Sequence, residues 1–300
     1  LPKAQEEFLK PTAFDYVRAD SVPHAVRLLA EHRAGARIIA GGQSLLAAMN
    51  FRMASPEILV DIGEIEELRD ITLTARGRLR IGALTRHADL EASPDIATHA
   101  PLLRQAIRHV AHTAIRNRGT FGGSLSHADP ASELPACAVA LDATIHIVGP
   151  QGERTVPARQ FFTGVHETAL RSGELLVAAE IDTIKPDEVS GFQEFARRHG
   201  DYAIVGLAAH GRIEAGRLCQ IAPVFFSVGG TPILARHAAA ALADPAVAEP
   251  ETRLRRAREA LSSDLDPPGD PQASAALRME LARVLLGRVV GDMLATRTGA

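Results

Sequence analysis

Two glycine pairs about eighty residues apart constrain what this 300-residue chain can fold into. The first stands in Arg37-Ile38-Ile39-Ala40-Gly41-Gly42-Gln43-Ser44-Leu45-Leu46. The second stands in Arg116-Asn117-Arg118-Gly119-Thr120-Phe121-Gly122-Gly123-Ser124-Leu125. In each, Gly-Gly is followed by a polar side chain and then by apolar residues. Glycine enters left-handed backbone conformations and carries no Cβ to block a close approach. Two such turns facing one another can aim backbone N–H groups at a single anionic group, such as a pyrophosphate. The pattern predicts a nucleotide cofactor.

The common alternatives do not fit. Neither loop matches the dinucleotide pattern Gly-x-Gly-x-x-Gly or the P-loop ending in Gly-Lys-Ser/Thr. Ser44 and Ser124 lack the Gly-x-Ser-x-Gly setting of a hydrolase nucleophile. His109 and His112 stand three apart without the intervening glutamate of a zinc-protease helix, and they read as a partly exposed helix face. His127 and Asp129 differ, because both follow the second glycine loop within reach of a bound cofactor. Arg116 and Arg118 approach that loop from upstream, where they either offset phosphate charge or lie on the solvated end of a helix.

With 46% hydrophobic and 23% charged residues, the composition is that of an ordinary globular protein. A net charge of −3 with interspersed signs argues against nucleic-acid or anionic-membrane binding. Only Cys137 and Cys219 are present, too few for an iron–sulfur cluster, and they read as reduced core residues. The opening Leu1-Pro2-Lys3-Ala4-Gln5-Glu6-Glu7 has no basic-then-apolar signal, and no apolar run approaches a transmembrane length. A cytoplasmic chain is expected.

Along the chain, Ser21 is placed to cap a helix through Val22, Val26 and Leu29 that ends near Gly35. Arg37 to Ala40 and Ile58 to Ile62 read as buried strands, with a helical turn from Leu45 to Met49 between them. These form a small α/β unit over residues 1–62. A second unit, 63–185, holds a strand through Leu79, Ile81 and Ala83. It continues with a helix from Pro101 whose apolar stripe runs on through Val110, Ala111 and Ala114 into the second glycine loop. Leu134 to Leu141 reads as a helix, Thr144 to Pro157 as a hairpin and Leu175 to Ile181 as a closing strand. Past a boundary near Lys185-Pro186-Asp187, residues 186–300 read as an antiparallel sheet followed by helices. Ser274 caps the last helix, which carries Leu277, Leu281, Val284, Leu285 and Val289.

Taken together, three ordered segments resemble a known family. Ala40-Gly41-Gly42-Gln43-Ser44-Leu45-Leu46 with Pro56-Glu57-Ile58-Leu59-Val60-Asp61-Ile62 is similar to the FAD-binding medium subunit of molybdenum hydroxylases, the carbon-monoxide dehydrogenase and xanthine dehydrogenase relatives. Ala114 to Ser124, followed by His127-Ala128-Asp129-Pro130-Ala131-Ser132-Glu133-Leu134-Pro135, resembles that family's second FAD motif. Arg197-Arg198-His199-Gly200-Asp201-Tyr202-Ala203-Ile204-Val205 resembles the segment opening its C-terminal domain.

The resemblance implies an α+β fold: a two-subdomain FAD-binding module of the vanillyl-alcohol-oxidase (PCMH) type over 1–185, then a C-terminal antiparallel-sheet-plus-helices domain. It assigns the pyrophosphate of a non-covalent FAD to Ala40, Gly41, Gly42, Gln43, Ser44 and Leu45 and to Thr120, Phe121, Gly122, Gly123 and Ser124. Further cofactor contacts fall on His127, Asp129, Glu133 and Leu176, with Tyr202 beside the isoalloxazine ring. Gln43 departs from the histidine of some relatives, which is expected to leave the phosphate-binding backbone unaffected but to change local polarity. The cysteine-rich insertion of some reductase relatives is missing, so flavin is expected to be the only redox centre.

In such a complex the chain relays electrons and needs no catalytic side chain of its own. A molybdopterin-binding large subunit would oxidise substrate, and [2Fe-2S] clusters on a small subunit would pass electrons to the FAD. A dimer of heterotrimers is the assembly implied, with no nucleic-acid partner. Two other readings stay open on the residues: a self-contained FAD oxidoreductase of the same fold, and a non-catalytic assembly scaffold.

Overall fold

A computed structural model describes residues 10–298. The opening heptapeptide, read above for a targeting signal, lies outside the described residues. Among the described residues, three larger sheets with their covering helices follow one another along the chain, with one two-stranded sheet besides.

The first sheet is parallel. Strand β1 (Asp15–Arg18) leads into helix α1 (Val22–His32), β2 (Ala36–Ile39), the short helix α2 (Leu45–Asn50) and β3 (Ile58–Asp61). β3 lies centrally in the order β1-β3-β2, pairing Asp15 and Ala36 with Ile58. Ile58, Leu59 and Val60 are all buried, as befits a central strand of a parallel sheet. α1 presents Val22, Ala25, Val26 and Leu29 inward at i, i+3, i+4 and i+7 spacing.

The second sheet is antiparallel, in the order β4-β5-β10-β6-β7. β4 (Ile71–Leu73) and β5 (Arg78–Gly82) precede a helical stretch: α3 (His87–Ala92), α4 (Pro94–His99), α5 (Pro101–Ala106), α6 (Thr113–Arg116), α7 (Phe121–His127) and α8 (Glu133–Ala140). The hairpin β6 (Thr144–Gly149) and β7 (Gly152–Pro157) comes next, then the one-turn α9 (Ala158–Phe161) and a small hairpin, β8 (Phe162–Gly164) with β9 (Glu167–Thr168). β10 (Leu175–Asp182) closes the sheet between β5 and β6.

The long helix expected from Pro101 to Ala114 is broken. Leu102, Leu103, Ala106, Ile107 and Val110 do line the core, so the apolar pattern is real. The helix itself stops at Ala106 and turns replace it, with His109 and Val110 bonding back to Ala106 and Ile107. Ala111 takes a left-handed φ of +44°. The carbonyls of Val110 and Ala111 accept instead from the Arg116 guanidinium, at 3.1 and 3.3 Å. A side chain two turns ahead thus satisfies backbone groups that a continuous helix would have paired.

The third sheet, order β11-β12-β13-β14, is built from β11 (Glu188–Phe195), β12 (Val205–Glu214), β13 (Arg217–Phe226) and β14 (Ile233–Leu234). Helices α10 (Arg236–Ala243), α11 (Pro250–Asp264) and α12 (Ala275–Thr298) follow, and the Ser274 hydroxyl caps α12 by accepting from Leu277 N. Period-two alternation splits β12 between two cores. Val205, Leu207 and Ala209 pack with Leu285, Leu286, Val289 and Met293 of α12. Ala208 joins Phe192, Val224 and Phe226 in the core that also holds α5 and α8. The sheet is therefore covered on both faces, and one of them is the second unit.

Candidate functional site

The two glycine loops touch. A Cβ built on Gly41 would stand 2.8 Å from the carbonyl carbon of Arg118 and 2.9 Å from the Cα of Gly119, so no side chain fits there. Gly42 has φ +71°, a conformation costly for other residues. Past β2 the chain turns sharply into α2. Among the described residues, no acceptor pairs with the backbone N–H groups of Gly42, Gln43, Ser44 or Leu45. The Gln43 side chain folds back, its Nε2 donating to Gly41 O at 3.0 Å. Successive unpaired amides around a left-handed turn form a nest that suits an anion.

The second loop is built differently. Thr120 caps α7, its hydroxyl accepting from Gly123 N at 3.2 Å. The amides of Phe121 and Gly122 donate to the carbonyls of Thr85 and Ala83, both at 2.8 Å. Gly122 lies so close to Ala83 that a Cβ would come within 2.7 Å of its Cα. Ala83 N in turn donates to Val177 O on β10, beside the bulge after Leu176. This glycine pair thus docks α7 onto the end of β5, while the unpaired amides belong to the first loop. The side chains of Phe121 and Leu176 point into the core, leaving only their backbones near the loops.

A residue absent from the sequence reading anchors this arrangement. His87, buried at the start of α3, places Nε2 3.0 Å from Thr120 O and 3.1 Å from Ser124 Oγ, and its amide donates to Gly119 O. Burial pushes its pKa down to about 4, so the imidazole is neutral at physiological pH and donates from Nε2 to the carbonyl. Nothing local in Thr85-Arg86-His87-Ala88 marks this role, which arises from contact between segments thirty-three residues apart.

At the far end of α7, about 10 Å along the helix by its rise per residue, a second group collects. Asp129 lies within electrostatic reach of His127, Glu133 and Tyr202, although Tyr202 follows β11 in the third unit. Burial, with Asp129 and Glu133 nearby, raises the Tyr202 phenol, while the residue as a whole stays 63% exposed. Glu133 is buried in the first turn of α8. Burial, reinforced by Glu194 of β11, raises its carboxyl to about 8, so it holds a proton at neutral pH. Glu194, also missed in sequence, contacts His109 Nδ1 at 3.3 Å.

Arg116 is not available to a phosphate: besides its two carbonyls it pairs with Glu91 at 2.9 Å. Arg118 is exposed beside the loop contact. His109 and His112 do not share a helix, the latter preceding α6. Cys137 and Cys219 are both free thiols. Among the described residues, no helix is long and apolar enough to cross a membrane.

Comparison with known proteins decides the family. A profile described as the FAD binding domain in molybdopterin dehydrogenase matches residues 12–183, and one described as the CO dehydrogenase flavoprotein C-terminal domain matches 190–293. The chain belongs to the FAD-binding medium subunits of molybdenum hydroxylases. This medium subunit is 40% identical over 287 residues to the 6-hydroxypseudooxynicotine dehydrogenase complex subunit alpha of Paenarthrobacter nicotinovorans, covering 95% of this chain and 96% of the relative. The carbon monoxide dehydrogenase structure from Hydrogenophaga pseudoflava superposes with a TM-score of 0.91 at 34% identity, covering 95% and 98% of the two chains. Quinoline 2-oxidoreductase from Pseudomonas putida 86 gives 0.89 at 37% identity, covering 96% and 99%. The medium subunit is an oxidoreductase component with an FAD-binding domain, and its relatives are subunits of multi-subunit dehydrogenases.

Proposed function

We propose that this medium subunit carries one non-covalent FAD and relays electrons from [2Fe-2S] clusters on a small partner subunit to an external acceptor. A large partner subunit would hold the molybdopterin cofactor and oxidise the substrate. The observation carrying this reading is the contact of Gly41 with Arg118 and Gly119, which sets the unpaired amides of Gly42 to Leu45 beside the second loop. A dianionic pyrophosphate fits such a nest without any side chain between the loops.

In this reading Ala40, Gly41, Gly42, Gln43, Ser44 and Leu45 bind the pyrophosphate. Thr120, Phe121, Gly122, Gly123 and Ser124 shape its other wall. Asp129 and protonated Glu133 offer hydrogen-bonding groups to the sugar-like part of the cofactor, His127 and Tyr202 border its ring, and Leu176 adds backbone contact. The flavin supplies the step between one-electron clusters and a two-electron acceptor; the protein sets its orientation and access. We take residues 1–185 as the FAD-binding domain and 186–300 as the C-terminal domain, in a cytoplasmic dimer of heterotrimers.

Acid precipitation of the purified chain should release FAD into the supernatant, whereas flavin left in the pellet would mean a covalent link. In the reconstituted complex, substrate should bleach the oxidised flavin band under anaerobic conditions. The isolated flavin-loaded chain should leave that band unchanged with the same substrate. Bleaching by the chain alone would replace the relay with a self-contained flavoenzyme.

A further inference from the structure

α7 ends at His127, Ala128 turns the chain with a left-handed φ of +49°, and a carboxylate oxygen of Asp129 lies within 4.8 Å of a ring nitrogen of His127. The hairpin β8–β9 brings His166 to the same place from thirty-nine residues downstream. His166 itself has φ +56°, an uncommon conformation for a residue with a side chain. Its amide donates to Ala128 O at 3.2 Å, and its Nδ1 lies 3.1 Å from the carbonyl oxygen of His127. A carbonyl can only accept, so Nδ1 carries the proton and Nε2 presents a free lone pair. Metal-ligating histidines are oriented in this way, the second nitrogen donating to a backbone carbonyl.

The rings of His127 and His166 have centroids 4.5 Å apart. One ligand-capable atom from each of His127, Asp129 and His166 lies within 4.8 Å of the others. Ligands about 2.1 Å from a common ion stand roughly 3.4 Å apart in tetrahedral geometry. Binding therefore requires the exposed His166 side chain to tilt inward by up to about 1.4 Å while Nδ1 keeps its bond to His127 O. Asp129 is held in place, its Oδ1 accepting from Ala131 N at 2.9 Å.

We propose that His127, Asp129 and His166 form a binding site for one borderline divalent transition-metal ion of the zinc class. Two imidazoles and one carboxylate suit such an ion, whereas magnesium and calcium favour all-oxygen sets. The remaining positions open to solvent on the side where His166 is exposed. The ion clips the β8–β9 hairpin to the end of α7.

The test separates this site from the cofactor through His166, which has no part in the proposed FAD contacts. The full flavin-loaded chain, treated with chelator, is titrated with Co²⁺ by visible absorption and with Zn²⁺ by calorimetry. One ion per chain is expected. In His166→Asn the dissociation constant should rise about tenfold or more, with the flavin spectrum and thermal midpoint unchanged. Asparagine tolerates the left-handed backbone and can keep the bond to His127 O. Asp129→Asn should weaken binding similarly. No stoichiometric Co²⁺ or Zn²⁺ binding, or equal affinity in His166→Asn, would overturn the proposal. Loss of flavin together with metal in His166→Asn would also overturn it, assigning that histidine to the cofactor.

Discussion

Gly41 and Arg118 meet backbone to backbone: a Cβ on the glycine would lie 2.8 Å from the arginine carbonyl carbon. The two loops carrying the family's FAD motifs are thus one surface. Gly41→Ala should force them apart, and overpacking of about 1–3 kcal/mol corresponds to roughly a 5- to 150-fold loss of FAD affinity. Flavin-fluorescence titration with circular dichroism as a fold check measures this. Gly291→Ala is the control, since its Cβ meets nothing within 4 Å inside α12. There we expect unchanged flavin affinity and a gain of about 0.5–1 kcal/mol in stability from helix propensity.

Thr120 and Gly123 act as a pair. Thr120→Ala removes the hydroxyl that accepts from Gly123 N and should cost about 1 kcal/mol. A Cβ at Gly123 would approach that same hydroxyl at 2.7 Å. Gly123→Ala should therefore lose much of its effect in the Thr120→Ala background, where that atom is gone. Denaturant unfolding of the two single variants and the double variant checks this, and strictly additive changes would contradict the shared mechanism.

The buried His87 predicts an acid limb in stability. Its folded pKa of about 4 lies below the ordinary 6.5. The neutral-state advantage is complete above pH 6.5 and disappears as pH falls through 4, amounting to about 3 kcal/mol. His87→Gln, which keeps a donor near Thr120 O, should flatten the stability profile across this window. An unaltered profile would mean that another group carries the limb.

Glu133 has the opposite sign. Its folded pKa of about 8 lies above the ordinary 4.5, so its contribution is complete below pH 4.5 and is lost as pH rises through 8. Glu133→Gln should reduce the fall in thermal midpoint of the flavin-free protein between those limits. Glu194→Gln removes the neighbouring carboxylate that helps raise the Glu133 carboxyl, so the loss should be smaller and complete at lower pH. Thermal melts at stepped pH read both, and identical slopes in all three proteins would refute the coupling.

Much of the local structure was written in short-range pattern. The i, i+3, i+4 and i+7 spacing of Val22, Ala25, Val26 and Leu29 sufficed for α1, and Gly149-Pro150-Gln151-Gly152 for the β6–β7 hairpin, because each depends on neighbours along the chain. The glycine pairs likewise marked the two loops, as backbone freedom and a missing Cβ are properties of the residue itself. The family motifs, including the segment around Tyr202, were legible for the same reason. Periodicity misled between Pro101 and Ala114, where apolar spacing records which side chains are buried but not whether the backbone stays helical. Arg116 and the packing of Gly200 against Ala111 resolved that stretch. Tertiary contact alone revealed which loop keeps its amides unpaired, that His87 holds the other, and that Glu194 sits near Glu133. It also brought His166 to His127 and Asp129. Desolvation and hydrogen-bond pairing depend on which distant segments meet, and composition along one segment carries no record of that meeting.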